Sequence, residues 1–190
     1  MESERKAHLA YIQSLELKVE NLERTQRQAS IEIRNIPSQK KENKQDLVNL
    51  VQRLGDSINV RVDESQIRDV FRLKTKKDTN QPIIVDFTTV VLKDKVLTSV
   101  KALNNTRREK KLNTGDLKIE GEQRPVFVAE SLTQTTRKIY FLAREFSKNH
   151  SYAFCWTAHG KVFLRKEEGA PCRRIDSEAD LEKLLHSLVK

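Results

Sequence analysis

The sequence contains few of the residues that mark secreted disulfide-bonded domains, membrane proteins or nucleotide-binding loops. Of its 190 residues, two are cysteine (Cys155 and Cys172) and five are glycine. No hydrophobic run approaches the roughly 20 residues that a membrane-spanning helix needs, and no secretory signal follows Met1. We therefore expect reduced thiols and a cytoplasmic or nuclear location, and a disulfide between the two cysteines is disfavoured.

Motifs for catalysis and metal binding are also missing. There is no glycine-rich phosphate loop and no nucleophile motif. The four histidines, His8, His150, His159 and His186, are scattered along the chain. Neither His150 nor His159 has a cysteine or carboxylate at the spacing of metal ligands. We expect no enzyme activity, no cofactor and no metal site. A metal-dependent nuclease would need a carboxylate cluster that forms only in the folded chain.

Positive charge, in contrast, is in excess. Lysine and arginine number 36 against 27 aspartate and glutamate, which gives a net charge of +9. Residues 1–30 carry five bases and five acids, whereas residues 31–120 carry 19 and 13 and residues 121–190 carry 12 and 9. The surplus therefore lies in the middle and at the end of the chain. It predicts a polyanionic partner, more often nucleic acid than an anionic membrane.

Residues 1–30 follow a heptad repeat and contain no proline or glycine. Ile12 and Val19 take position a, and Leu15 and Leu22 take position d. A helix of this length is marginal alone, so we predict a coiled-coil oligomerisation helix that forms a dimer or a trimer. The alternative is a single amphipathic helix docked on its own domain.

Residues 31–121 alternate between strand and helix patterns in the order βαββαβ, and Gly55 is predicted to end the first helix. This order predicts a ferredoxin-like domain, similar to an RNA-recognition motif, with four strands backed by two helices. RNA-recognition domains stack a base on an aromatic residue where this chain has Glu32. Phe71 and Phe87 are assigned to the core, so base stacking on this sheet is not expected. The predicted strands of this domain are residues 31–36, 66–73, 82–87 and 117–120. Residues 126–129 are predicted to form a strand of the next domain.

Residues 122–190 predict a small α/β domain built around an aromatic hairpin. Tyr152, Phe154 and Trp156 alternate, which would place them on one face of a strand. His159 and Gly160 indicate a tight turn before a basic strand. An aromatic face of this kind is either domain core or a base-stacking platform, and we favour core because a small domain needs most of its aromatics there. The whole chain is then an α+β protein with parts 1–30, 31–121 and 122–190.

Clusters of cations in the predicted loops indicate where nucleic acid would bind. Two basic loops reaching one backbone would give salt-dependent binding with little sequence selectivity, in a cleft between the middle and C-terminal domains. The candidates in the middle domain are Lys74, Lys76, Lys77, Arg107, Arg108, Lys110 and Lys111. The candidates in the C-terminal domain are Arg137, Lys138, Lys161 and Arg165.

The C-terminal region carries a recognisable pattern. It reads L-T-x3-R-K-x-Y-F-x-A-R-E from Leu132, then W-x3-G-K-V-F-L-R-K from Trp156, then R-R-I and a closing D-L-E-K helix. Over residues 126–188 it resembles the conserved C-terminal region of baculovirus few-polyhedra proteins, relatives of which occur in insect mobile elements. The order of coiled coil, RNA-recognition-like domain and small α/β domain is similar to the first open-reading-frame protein of long-interspersed-element retrotransposons.

These resemblances imply an oligomeric protein that binds RNA or single-stranded DNA with chaperone-like action. They imply that Arg34, Asn35 and Arg72 of the middle domain contact the strand, together with Arg137 of the C-terminal domain. For the baculovirus family they also imply a role in nucleocapsid envelopment and in the balance of budded and occluded virus. The alternative function is therefore a structural or adaptor protein, virion-associated, that contacts a viral or host protein.

Overall fold

The computed structural model describes residues 2–39, 41–74, 80–107 and 109–188. The chain divides into two compact units. The middle unit is Ala29–Ser131, and the terminal unit combines Met1–Gln28 with Leu132–Lys190. Both contain helices and antiparallel strands, so the predicted α+β class is confirmed. Within the described ranges, no helix is both long and apolar enough to cross a membrane.

The order of the elements along the chain follows much of the predicted alternation of strands and helices. In chain order they are α1 (Glu2–Gln26), β1 (Ser30–Arg34), α2 (Lys44–Ser57), β2 (Ile67–Arg72), β3 (Ile83–Phe87), α3 (Val90–Thr106), β4 (Phe127–Glu130), α4 (Gln134–Asn149), β5 (Phe154–Ala158), β6 (Lys161–Arg165), β7 (Arg173–Ile175) and α5 (Glu178–Leu188).

The middle unit is a four-stranded antiparallel sheet with strand order β2-β3-β1-β4. Ile31 pairs with Val85 of β3 on one side and with Glu130 of β4 on the other, so β1 is a central strand. Ile31 and Ile33 are fully buried in a core to which α2 and α3 both contribute. Alternation along β1 therefore sends every second side chain under the two helices.

The fourth strand of this sheet is β4, and the strand predicted at residues 117–120 is wrong. Leu117 and Ile119 do pack on the core. However, the chain reverses here, because the Lys118 amide donates to the Gly115 carbonyl at 3.0 Å and Lys118 has a φ of +54°. A turn that lies against the core thus produces the same alternating burial as a strand.

Helix α2 begins with a reciprocal capping box between Asn43 and Asp46. It continues to Ser57, so the prediction that Gly55 ends it is wrong. Gly55 is required for a close approach instead. A Cβ atom at this position would lie 2.5 Å from the carbonyl oxygen of Val60. The amide of Val60 also donates to the Gly55 carbonyl at 2.9 Å, which keeps the two segments close together.

In the terminal unit, β5, β6 and β7 form a three-stranded antiparallel sheet packed against α4 and α5. The predicted tight turn is confirmed, since His159 and Gly160 have φ values of 51° and 68° and connect β5 to β6. Two consecutive positive φ angles are typical of the type I′ turn that suits the twist of a hairpin.

The core of the terminal unit is aliphatic and does not include the aromatics of β5. Its buried members are Ile139, Ala143, Val162, Leu164, Ile175 and Leu181. Tyr152, which precedes β5, packs against this core, but Phe154 and Trp156 do not. Our expectation that the hairpin aromatics form the core is thus wrong for these two, because Cys155 and Thr157 occupy the strand positions that face it.

Helix α1 covers the heptad segment, and none of its residues is buried. Its C-terminal half is held by polar contacts, since the hydroxyls of Thr133 and Thr136 donate to the Glu20 carboxylate at 2.7 and 3.1 Å. The heptad side chains at positions a and d are between 40% and 70% exposed; they are Ile12, Leu15, Val19 and Leu22. The apolar stripe therefore remains uncovered in a single chain.

We predict that Gly55→Ala destabilises the protein. Alanine normally stabilises a helix by about 1 kcal/mol relative to glycine, but here its methyl group would collide with the Val60 carbonyl oxygen. The expected loss is about 1–3 kcal/mol of unfolding free energy, measured by urea denaturation. The control is Gln45→Ala at an exposed position of the same helix. Unchanged stability of Gly55→Ala would show that the close approach is not required.

Candidate nucleic-acid interface

Several of the predicted cations of the middle unit meet at one end of its sheet. Strands β1 and β2 end there and β4 begins there, because Arg34 pairs with Phe127 and Arg72 with Ile83. Arg34 is the last residue of β1, and Lys74 follows the end of β2 by two residues. Both are exposed.

The segment that follows α3 adds two more cations at the same end. The amide of Val126 donates to the carbonyl of Leu112 at 2.8 Å, so the residues just before Leu112 lie beside the start of β4. Lys110 and Lys111 are exposed in this segment. We call these four cations the basic end: Arg34, Lys74, Lys110 and Lys111. At about 4.8 Å between strands, the end of a four-stranded sheet is about 15 Å wide.

Within the part of the chain that the structure describes, most of the charge at the basic end has no carboxylate partner. Within the described ranges, Lys74, Lys110 and Lys111 make no ion pair. Arg34 lies 3.7 Å from a carboxylate oxygen of Glu32 and is exposed. Arg107 is nearby in the sequence, but its guanidinium donates to Asp116 at 2.7 Å. The cations of the basic end are therefore more available to an external anion than the guanidinium of Arg107 is.

Arg72 lies close to the basic end but is held inside the structure. Its side chain is 9% exposed, and it donates to both carboxylate oxygens of Glu42 at 2.5 and 2.8 Å. Its other hydrogen bonds, 2.8–3.1 Å long, go to the main-chain carbonyls of Ile36, Pro37 and Gln81. A guanidinium has five N–H donors, and all five are used. None remains for a phosphate.

Asn35 also holds the structure together at this end. It has a φ of 68°, a conformation that asparagine tolerates better than most residues. Its side-chain amide donates to the carbonyl of Pro125 at 2.8 Å and so ties the end of β1 to the segment before β4. The remaining predicted contacts of the middle unit, Lys76, Lys77 and Arg108, lie outside the described residues.

Two phenylalanines are exposed on the face of the sheet that points away from the core. Phe71 pairs with Ile84, and Phe127 pairs with Arg34, so both lie towards the basic end. Assigning Phe71 to the core was wrong, because its neighbour Val70 is the residue that faces the helices. Phe87 is fully buried as predicted. Phe127 was missed because the strand predicted at residues 126–129 was assigned to the C-terminal domain, whereas it is β4 of this sheet.

The predicted cations of the terminal unit lie on two elements. Lys138 of α4 pairs with Glu178 at 2.6 Å, and Arg137 is exposed in the same helix. Lys161 and Arg165 lie at the two ends of β6, and the Arg165 guanidinium stands 4.4 Å from the centre of the Phe154 ring. Arg165 is thus in contact with an aromatic residue of the neighbouring strand.

Part of the terminal unit also matches the sequence model of a known family. Residues 133–185 match the family model described as Baculovirus FP protein domain 2. The match begins at Thr133, which caps α4, and ends within α5, so it spans the sheet and core of the terminal unit. It supports the predicted resemblance to the baculovirus few-polyhedra family. A search of curated proteins found no match to the chain.

The matched segment contains two free thiols with different surroundings. Cys172 is exposed, whereas Cys155 packs beside the core. Burial raises the pKa of the Cys155 thiol, and the positive charge of Arg144 offsets this only in part. No group of three or more possible metal-ligating side chains lies together in the described part of the chain.

We predict unequal losses of stability for two arginines that the sequence does not distinguish. Arg72→Gln leaves the Glu42 carboxylate without its cation and three carbonyls without donors, so it is expected to cost about 3–5 kcal/mol of unfolding free energy. Arg34→Gln removes the same charge from an exposed side chain and should change stability by less than about 0.5 kcal/mol. Urea denaturation of both variants tests this. Equal losses would contradict a structural role specific to Arg72.

Proposed function

We propose that this protein binds the sugar-phosphate backbone of RNA or single-stranded DNA at the basic end of its middle unit. The observation that carries the proposal is the convergence of four exposed cations from three separate segments at one end of a sheet. Three of them make no ion pair in the described part of the chain. Charges arranged in this way suit a phosphate backbone and would give binding with little sequence preference.

The architecture of the middle unit supports an RNA-recognition-like domain. Its order of elements is βαββαβ, and its strand order is β2-β3-β1-β4. The sheet surface differs from that of RNA-recognition domains that stack bases on aromatic residues of the central strands. Here the central strands β1 and β3 carry Glu32 and Ile84 at those positions, and both side chains are buried. We therefore assign this unit a role dominated by charge, compatible with chaperone-like action. A binding cleft formed with the C-terminal domain stays a prediction.

We further propose that α1 joins copies of the chain. Its positions a and d form an apolar stripe on a helix with no buried residue. A helix of about 25 residues gains little stability alone, and a coiled coil would cover the stripe. Joining several basic ends would raise the affinity for a long strand through avidity.

The family match favours a baculoviral origin, and a mobile-element origin stays a prediction. The alternative function is that of a structural or adaptor viral protein that acts through protein contacts. The observation that favours this alternative is that the family match lies in the terminal unit, so it does not include the basic end. A purified chain with no measurable affinity for nucleic acid at low salt would favour this alternative.

We predict that neutralising Lys110 and Lys111 weakens binding and its salt dependence. Lys110→Gln combined with Lys111→Gln should reduce affinity for a single strand of about 20 nucleotides. The slope of log K against log salt should become shallower by about 0.7 for each phosphate that a lysine no longer neutralises. Fluorescence anisotropy between about 50 and 200 mM salt measures both quantities.

The control for this experiment removes the same charge elsewhere. Lys6→Gln combined with Lys95→Gln changes two exposed helix lysines outside the basic end. If the two double variants weaken binding equally and flatten the slope equally, net charge explains the binding, and the basic end is not its location.

We predict that Val19→Glu dissociates the oligomer. A carboxylate at position a would be desolvated inside a coiled coil, so the dissociation constant for self-association should rise at least tenfold. Sedimentation analysis measures the oligomeric state. Leu17→Glu is the control, because Leu17 is also apolar and is more exposed than Val19 but lies outside positions a and d. A monomeric native chain at high concentration would refute the role of α1.

A further inference from the structure

The sheet of the terminal unit has two faces with different chemistry. Val162, Leu164 and Ile175 point to the core. The opposite face has aromatic and cationic residues directly across from each other. Phe154 pairs with Arg165, Trp156 with Phe163, and Phe163 also with Arg174 of β7. We call this surface the aromatic face: Phe154, Trp156, Lys161, Phe163, Arg165 and Arg174.

The rings of the aromatic face are ordered by stacking. Trp156 and Phe163 are stacked, with ring centres 5.6 Å apart and planes inclined by 21°. The Arg165 guanidinium stands 4.4 Å from the centre of the Phe154 ring and 5.9 Å from that of Trp156. Phe154 is 37% exposed, and Trp156 and Phe163 are partly exposed. The face thus presents flat π surfaces together with a guanidinium plane.

The charges of the aromatic face identify the kind of molecule that fits it. Lys161 and Arg165 have no carboxylate partner in the described part of the chain, and the Nε of Arg165 is buried there without a hydrogen-bond acceptor. Arg174 pairs with Asp176, which lies just beyond β7, at 2.7 Å. The strand positions of the face carry no carboxylate of their own. The complementary ligand is an anion with flat aromatic groups, which describes unpaired nucleotides.

We propose that the aromatic face is a stacking site for unpaired bases of RNA or single-stranded DNA. One or two bases stack on Phe154 and Trp156, while Lys161 and Arg165 contact the adjoining phosphates. A duplex keeps its base faces covered and gains only the phosphate contacts. The site therefore gives a preference for single strands that the basic end does not supply. This inference rests on the proposed nucleic-acid binding and adds a second contact within the terminal unit.

Trp156 provides a direct readout, because it is the only tryptophan in the chain. The full chain is titrated with a single-stranded RNA, a single-stranded DNA, a duplex and an abasic strand of equal length. Anisotropy measures binding, and tryptophan emission reports stacking. Single strands with bases are expected to quench the emission, whereas the duplex and the abasic strand should bind at low salt without quenching. Quenching by either RNA or DNA supports the site, and their relative strength identifies the preferred strand.

A matched pair of variants tests the site independently of fluorescence. Phe154→Ala should weaken single-strand binding about fivefold or more and leave duplex binding unchanged. Phe141→Ala is the control, since Phe141 is 64% exposed on α4, away from the aromatic face. It should change neither affinity. Because Phe154 lies outside the core, the fold should persist, and circular dichroism checks this.

The outcomes separate this inference from the proposed function. Single-strand binding without quenching, together with no effect of Phe154→Ala, would overturn the stacking site and leave the basic end intact. No binding to any of the four nucleic acids would overturn the proposed function itself.

Discussion

The pairing of β1 with both β3 and β4 is the constraint on which the rest of the middle unit depends. β1 is the central strand that β4 joins from nearly one hundred residues further along the chain, with Arg34 opposite Phe127. A buried ion pair also holds β4 against α3, since Lys93 of α3 is 1% exposed and its Nζ lies 3.0 Å from a Glu130 carboxylate oxygen. A one-residue slip would turn the buried side chains of the strand to the opposite face. The basic end exists only in this register.

The sequence was informative wherever the decisive interaction is local. Periodicity located most of the helices and strands, and the His159–Gly160 turn follows from the twist of a hairpin. The sequence was insufficient where two segments could each have paired with the same strand. Residues 117–120 and β4 both alternate, and only the long-range pairing with Ile31 and Ile33 shows which one joins the sheet. Gly55 illustrates the same limit, because the atom that requires a glycine there belongs to Val60.

The candidate site was predictable in its charge but not in the roles of individual residues. Arg34 and Arg72 are each the last residue of a strand. Arg72 is held by Glu42, which lies 30 residues away in the sequence, whereas Arg34 is exposed. Alternation also showed that Phe154 and Trp156 share a face. It could not show which face the core would cover, because that depends on where α4 and α5 pack. Aliphatic side chains on the intervening positions supply that core.

In the proposed function, the two surfaces contact different parts of a nucleic-acid strand. Phosphates are present on single and double strands alike, so the basic end by itself cannot select between them. A stacking surface can, because it requires a base whose face is not already covered by its neighbours. In the proposed mechanism, the middle unit therefore supplies affinity through charge, and the terminal unit supplies the preference for unpaired bases. Phe154, Trp156 and Arg165 all lie within residues 133–185, the segment that matches the baculovirus family domain. Selectivity for single strands would then be a property of that domain, whereas the salt dependence of binding would come largely from the unit outside it.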